Sequence, residues 1–387
     1  MSILDEIRVA LVVNGMTFTG APKVAFDVFS RLQSRLRLQI IALHGGPMTE
    51  HFRQIAPVSI LPTQSFIEYI RTDGLRACLP AFAARPFTKT RIAMSRPDVV
   101  YVNGVWTLPA LNYTSFRDAQ VVVHVHEADR YLRQVHQNYP ELFPGRPSRY
   151  IAVSNATKDS VVRFGVDPDR VDVIYNSLSP GIATSDTPVD RISKKFTVGG
   201  SGYLAWCKGT QLWLQMVAEV VKIVGEDAVR FVWLGCDDSG AALEFEETAR
   251  KLKVWHFIDF LPVTQKPLEV YGTFDVLAVS SWEETFSLAS LECMSLGKVV
   301  VCFADNGGTP EVIGDTGICV PGFSPQLMAQ SIVDLMKNSD RLSLLGVAAR
   351  ERATTQFKLD TQVEAVYNVI AQACAEKLAV LPRSGSH

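Results

Sequence analysis

Neither sign of charge dominates the chain: 38 Lys and Arg stand against 40 Asp and Glu in 387 residues, a formal net charge of −2. A dedicated nucleic-acid binder carries a basic footprint, so nucleic acid is not an expected partner. Long apolar runs are also lacking. No stretch is long enough to span a bilayer, and Met1-Ser2-Ile3-Leu4-Asp5-Glu6 has neither the basic nor the apolar block of a signal peptide. The expected location is cytoplasmic. Cysteine is sparse, seven residues without a Cys-x-x-Cys pair, and Cys236, Cys293, Cys302 and Cys319 fall in or beside apolar runs as core residues do. That pattern argues against a zinc site and against a disulfide framework.

What is present is an alternation of short apolar runs and helix-length segments over a length that suits two domains. In the first half, buried-strand runs are read at Ile7–Asn14, Leu38–Leu43, Val58–Leu61, Val99–Asn103, Val121–His126, Tyr150–Val153 and Val171–Tyr175, with a helix from Thr19-Gly20-Ala21-Pro22 to about Arg35. Ser179-Pro180-Gly181 through Thr187-Pro188 has turn composition and no periodicity, so the domains are set at 1–180 and 190–357. The second half repeats the alternation, with strands at Phe196–Gly199, Arg230–Leu234, Phe257–Phe260, Asp275–Val279 and Val299–Phe303. Helices follow at Ser324–Lys337, Arg341–Phe357 and Thr361–Lys377. The fold class is α/β, two doubly wound Rossmann-like domains.

The stretch from Glu284 to Glu292 carries the most chemistry. Between Glu284 and Lys298 the one charge is Glu292, on a helix of Leu, Ala, Ser, Cys and Met. A helix this apolar is buried nearly all round, and a buried carboxylate has to meet hydrogen-bond donors or lose its charge. The amides near Phe286, Ser287 and Leu288 open that helix and suit a phosphate. Hydroxyls for the acid and phosphate for the amides describe a ribose-containing diphosphate. The plainer alternative makes Glu284 a helix-start acid and pairs Glu292 with a lysine.

Other candidates sit at strand ends, where doubly wound sheets bind ligands. Gly20 follows the first strand and offers close approach to a ligand, unless it is a plain turn glycine. His124 and His126 share one strand face; they suggest either a metal site with Glu127 or one packed and one functional ring. Gly200-Ser201-Gly202-Tyr203-Leu204-Ala205 matches a dinucleotide fingerprint, but the nearest acids after the next strand, Asp237 and Asp238, come too late for a nicotinamide site. Lys208 lies where an ammonium reaches phosphates, or else is merely solvated.

The run Glu284 to Glu292 resembles the Glu-x7-Glu signature of retaining glycosyltransferases of family 4, which have the GT-B fold of two domains facing a central cleft. Gly202 to Gly209 resembles the family's Gly-Arg-Leu-x-x-x-Lys-Gly, with Tyr203 where arginine is usual. Asp305 to Glu311 is similar to its Gly-Gly-x-Pro-Glu loop. Val121 to Asp129 resembles its strand ending in His and an acid, which puts His126 at the matching position. The resemblance implies transfer of a sugar from a nucleotide diphosphate sugar, UDP- or GDP-type, to an acceptor hydroxyl with the configuration retained. It implies His126, Lys208 and Glu284 as catalytic groups, and Gly20, Tyr203, Lys208, Phe286, Ser287, Leu288 and Glu292 as donor-binding ones. It also implies no cofactor and no metal, a C-terminal helix at about 358–378 that packs back on the first domain, and a saccharide, lipid-linked or small-molecule acceptor. The setting it suggests is polysaccharide or glycoconjugate synthesis, with peripheral contact at the inner face of the membrane left open. Thr285 and Ser287 replace two family glycines. Rival readings are a sugar-nucleotide binder without activity, and a nucleotide-sugar isomerase or phosphorylase on the same fold.

Overall fold

The computed structural model describes residues 6–61, 83, 85–90, 92–113, 116, 118–181, 195–236 and 240–380. The N-terminal residues before Glu6, most of the linker after Gly181, the acids Asp237 and Asp238, and the tail after Val380 lie outside the described residues. The chain divides into two compact units, Met1–Ser177 with Leu359–His387, and Leu178–Lys358.

The first unit is built on seven parallel strands, β1 (Arg8–Gly15), β2 (Arg37–His44), β3 (Val58–Ile60), β4 (Val99–Asn103), β5 (Gln120–Val125), β6 (Arg149–Ala152) and β7 (Val171–Val173). Their order is β3-β2-β1-β4-β5-β6-β7. Strands such as Val99-Val100-Tyr101-Val102-Asn103 are buried at every position, because helices cover both faces of a parallel sheet and leave no alternation to read. The helix Gly20–Leu32 buries Val24, Ala25, Val28, Phe29 and Leu32, the three-and-four spacing of a one-sided helix.

The C-terminal helix Leu359–Val380 packs on that helix and on β4 and β5. Two polar clamps fix it. The guanidinium of Arg149, 8% exposed, pairs with Asp172 at 2.9 Å and with Glu376 of the helix at 3.2 Å. The Gln362 carbonyl oxygen accepts both the N–H of Ser177 (3.1 Å) and its hydroxyl (2.8 Å).

The second unit has six parallel strands, β8 (Phe196–Ser201), β9 (Val229–Cys236), β10 (Ile258–Pro262), β11 (Val276–Val279), β12 (Val299–Phe303) and β13 (Ile318–Val320), in the order β10-β9-β8-β11-β12-β13. Each unit is therefore doubly wound, with the strand order reversing between β1 and β4 in one and between β8 and β11 in the other. This is the pair of Rossmann-like sheets of the GT-B fold. The edge strand β13 was not expected from the sequence; three residues after Gly317 give too short a run to show a period. Two cysteine expectations need correction as well. Cys319, on that edge strand, is exposed and Cys236 is half-buried, so neither is a core residue.

Gly199 and the first glycine of the fingerprint, Gly200, serve packing. A Cβ on Gly199 would meet the Phe274 ring at 2.1 Å, and one on Gly200 would meet Trp233 at 2.4 Å and the Trp213 indole nitrogen at 2.7 Å. Trp213 and Trp233 are buried with their ring centroids 5.2 Å apart, so neither can yield cheaply. Gly200→Ala is expected to destabilise this unit by about 1–3 kcal/mol, the range for overpacking a filled core. Urea unfolding checks it, and a variant as stable as wild type would show that the two indoles do not fix this position.

Candidate active site

In the second unit the loops after β8 and β11 leave neighbouring strands at the point where strand order reverses, the place where open α/β sheets bind ligands. Lys208 comes from the first loop and Glu284 from the second. The Lys208 ammonium donates to Glu284 Oε2 at 2.6 Å, and the Ser281 hydroxyl donates to the same oxygen at 3.2 Å. The two side chains are 26% and 11% exposed, so the pair is half-buried and well shielded from water without being sealed.

Glycines let the backbone segments come together. Gly209 has φ +59°, and a Cβ there would lie 2.0 Å from the Ser280 carbonyl oxygen. Gly202, at φ +134°, lies under the Lys208 stem, where a Cβ would meet Cε at 3.2 Å. The Ser280 hydroxyl donates to the Lys208 carbonyl at 2.9 Å, and the Trp282 N–H donates to the Cys207 carbonyl at 2.8 Å. The loop after β12 grips the other side of Glu284, whose N–H donates to the Asn306 carbonyl (2.7 Å) while its carbonyl accepts from the Gly308 N–H (2.6 Å).

Ser287 caps the helix Leu288–Ser295, its hydroxyl accepting the Ser290 N–H at 3.2 Å. Phe286 is buried edge-on against Phe357. Glu292 is 8% exposed on that helix, and its charge helps burial to raise the pKa of both Tyr271 and Cys293. The Tyr271 hydroxyl lies 2.8 Å from that of Ser201 at the end of β8, which links the Glu292 neighbourhood to the first loop. Tyr203 is half exposed, and the exposed Trp206 lies parallel to Trp282 with centroids 6.3 Å apart. Neither tryptophan was singled out in the sequence; their only signal was two aromatics flanking polar loop residues.

In the first unit His126 sits one residue beyond β5. Its Nε2 lies 3.0 Å from Asn103 Oδ1, and the Asn103 amide nitrogen donates to the Ala21 carbonyl at 3.1 Å. That second bond fixes which end of the amide faces the histidine, so Nε2 carries the proton. Gly20 opens the helix whose second residue, Ala21, anchors this chain of bonds. His126 as a residue is half-buried, and desolvation of its ring drives its pKa down to about 3. His124 is fully buried, its Nδ1 2.7 Å from the Tyr101 hydroxyl, and its pKa falls through burial and then through the His126 ring 4.1 Å away.

Glu127 turns away from both histidines. Its Oε2 accepts the N–H groups of Val105 and His126, each at 3.0 Å. Burial raises its pKa while those backbone donors work against the rise. A Cβ on Gly104, at φ +98°, would come within 2.4 Å of Glu127 Oε1. The three residues therefore do not converge as a metal site, and among the described residues no group of three or more His, Cys, Asp or Glu side chains is placed to hold a metal ion. The structure thus joins Lys208 to Glu284, and His126 to the Gly20 helix.

Two family models match the chain: "Glycosyltransferase Family 4" over residues 18–180 and "Glycosyl transferases group 1" over residues 195–338. Among curated proteins, D-inositol 3-phosphate glycosyltransferase of Corynebacterium diphtheriae is 30% identical over 229 residues, 54% of this chain and 53% of the relative. That of Rhodococcus jostii is 28% identical over 224 residues, 53% and 48% respectively. The chain spans about half the length of the curated relatives it matches. Among solved structures, Anabaena HepE in complex with UDP and glucose superposes with a TM-score of 0.77 at 18% identity, covering 95% of this chain and all of that one. WaaG, a glycosyltransferase involved in lipopolysaccharide biosynthesis, gives 0.72 at 15% identity over 94% and 99%. At such identities these two neighbours speak to the fold alone. The first sheet thus matches a family-4 glycosyltransferase domain and the second a group-1 glycosyl transferase domain.

Proposed function

We propose that this chain is a retaining glycosyltransferase that moves a hexose-type sugar from a nucleotide diphosphate sugar, UDP- or GDP-type, to an acceptor hydroxyl. The observation that carries this reading is the Lys208–Glu284 pair at the strand-order reversal of the second sheet, with Glu292 buried on the helix Leu288–Ser295 that follows. In this reading Glu292 accepts hydrogen bonds from the ribose hydroxyls, and the amides at Phe286, Ser287 and Leu288 face the diphosphate. Lys208 takes up charge on the departing phosphate as the anomeric C–O bond breaks. Glu284 holds the ammonium in place. The acceptor oxygen attacks the same face and its proton passes to the departing phosphate oxygen, so no side-chain base is required. With its Nε2 proton held by Asn103, the neutral His126 ring meets the sugar or acceptor through Nδ1, which accepts a hydrogen bond from a hydroxyl rather than supplying a charge.

The acceptor is a saccharide, a lipid-linked or a small-molecule alcohol, in a polysaccharide or glycoconjugate pathway of the cytoplasm, working at or near the inner membrane face. No helix among the described residues is long and apolar enough to cross a membrane. A second reading, a sugar-nucleotide binder without turnover, is favoured by one observation: Tyr203 supplies no cation where the family usually has one. Release of UDP or GDP from its sugar in the presence of an acceptor separates the two.

Mutation divides the roles. Glu292→Ala is expected to weaken UDP or GDP binding about tenfold or more, since a hydrogen bond to a charged group is worth roughly 1.5–3 kcal/mol. His126→Ala is expected to leave that affinity near wild type and to lower turnover by about two orders of magnitude. Calorimetry and product release on the same folded variants check both; unchanged nucleotide affinity in the Glu292 variant removes it from the site.

The histidines also predict a pH dependence. The unfolded chain protonates each near 6.5, whereas the folded ring of His126 does so only near 3 and that of His124 also resists protonation. Between those values the unfolded state binds more protons, so their contribution to stability is complete above pH 6.5 and is lost as pH falls through the acid range. Melting temperature is expected to fall from pH 7 to pH 4, with a shallower slope in His126→Gln; an unchanged slope would mean that this ring titrates alike in the folded and unfolded chain.

We propose further that transfer requires no divalent ion, the diphosphate being served by Lys208 and helix amides. Turnover is expected to survive excess chelator. Loss on chelation with recovery on adding magnesium or manganese would overturn this.

A further inference from the structure

Strand β13 lies at the edge of the second sheet, and its register sets Cys319 directly beside Cys302 of β12. In a parallel pair, residues in register point to the same face, and the strands run about 4.8 Å apart. That spacing falls within the roughly 4.4–6.8 Å between Cα atoms that a disulfide spans. The two sulfurs are already 3.9 Å apart. Cys302 is buried and Cys319 is exposed, so one sulfur is open to a reagent from solution while the other waits behind it. We propose that Cys319 and Cys302 form a peroxide-reactive dithiol site, Cys319 reacting first and Cys302 closing the bridge.

The chemistry balances with a hydroperoxide as the two-electron oxidant. The Cys319 thiolate attacks the O–O bond, forms an S–O bond and releases hydroxide, or alkoxide from an organic hydroperoxide, leaving a sulfenic acid. The Cys302 sulfur then attacks Sγ of Cys319. The S–S bond forms, hydroxide leaves, and the Cys302 proton accompanies it as water. With hydrogen peroxide the sum is two thiols plus one peroxide giving one disulfide and two waters.

Electrostatics favours that order. The Cys302 thiol donates to Cys319 and so stabilises its thiolate, which lowers the Cys319 pKa. The same bond, with burial and the Cys319 charge behind it, raises that of Cys302. Conversion of Cys319 to a neutral sulfenic acid removes the thiolate's share of that rise. Burial pushes up Cys207, Cys293 and Cys374, and none of these has a lowered pKa to compete as the entry point.

The test uses the reduced full-length chain, treated with hydrogen peroxide and mapped by mass spectrometry without reduction. Cleavage after Glu311 separates the two cysteines. Joined peptides lacking two hydrogens, restored to separate thiols by dithiothreitol, are the expected result. In Cys302→Ser, Cys319 is expected to gain one or more oxygens instead; in Cys319→Ser, Cys302 is expected to stay alkylatable after unfolding. Both are near-isosteric, and their melting curves report folding. Wild-type chain that carries sulfinic or sulfonic acid at Cys319 with no bridge, or that keeps both thiols, would overturn the proposal.

Discussion

Lys208 and Glu284 can meet only because backbone segments touch with nothing between them. Gly209 faces the Ser280 carbonyl at a separation that leaves no room for a Cβ. Gly235 does the same against the Gly202 carbonyl, where a Cβ would come within 2.5 Å, and Gly307 against the carbonyl of Glu284, also at 2.5 Å. All four segments leave the carboxyl ends of β8, β9, β11 and β12. In a doubly wound sheet these ends fan out around the reversal point, so the loops are brought near one another by topology and into contact by glycine. The charged pair is thus a consequence of strand order and of three positions lacking a side chain.

Much of this was legible in the sequence, and the reason is physical. Buried parallel strands are continuous apolar runs, so β4 and β12 were bounded correctly from Val99-Val100-Tyr101-Val102-Asn103 and Val299-Val300-Val301-Cys302-Phe303 alone. The isolation of Glu292 in an apolar helix pointed to burial, and it is buried. What stayed hidden depends on partners distant in the chain. Nothing near Lys208 announces Glu284, seventy-six residues on, as its partner. The Gly-x-Gly-x-x-Ala run matched a dinucleotide fingerprint without the acid that a nicotinamide site needs. In fact Gly200 makes room for two tryptophans and only Gly202 adjoins the lysine. Edge strand β13 was missed because three residues carry no periodicity, and with it went the exposure of Cys319.

The two units present different electrostatic surroundings. In the first, Tyr101, His124, Asn103 and His126 form hydrogen-bonded links between neutral groups, and burial keeps both rings uncharged. The one carboxylate nearby, Glu127, is occupied by backbone N–H groups and kept off the rings. The second unit concentrates formal charge, with Lys208, Glu284 and Glu292 on loops and a helix about one reversal point. Such a division suits the proposed reaction, in which charge develops on a leaving diphosphate while the attacking hydroxyl is neutral: the cation belongs with the leaving group, and a neutral ring can meet hydroxyls without competing for the phosphate.

The substitutions relative to the family pattern are physically coherent with that division. Ser287 has ordinary extended backbone angles, φ −83° and ψ 96°, so a serine there strains nothing, and its hydroxyl supplies a helix cap that glycine lacks. Tyr203 is the costlier change, because it removes a cation that cannot be regained from a neutral phenol. Lys208 is moreover already paired with Glu284 at 2.6 Å. Under the proposed function an incoming diphosphate would share the ammonium with a carboxylate that repels it, which would weaken ground-state binding. In the proposed reaction, charge would accumulate on the phosphate oxygen as the anomeric bond breaks, and the pull on Lys208 would grow relative to the fixed pull of Glu284. An ammonium held this way stabilises the departing group more than the bound substrate, which is the condition under which binding energy accelerates a reaction.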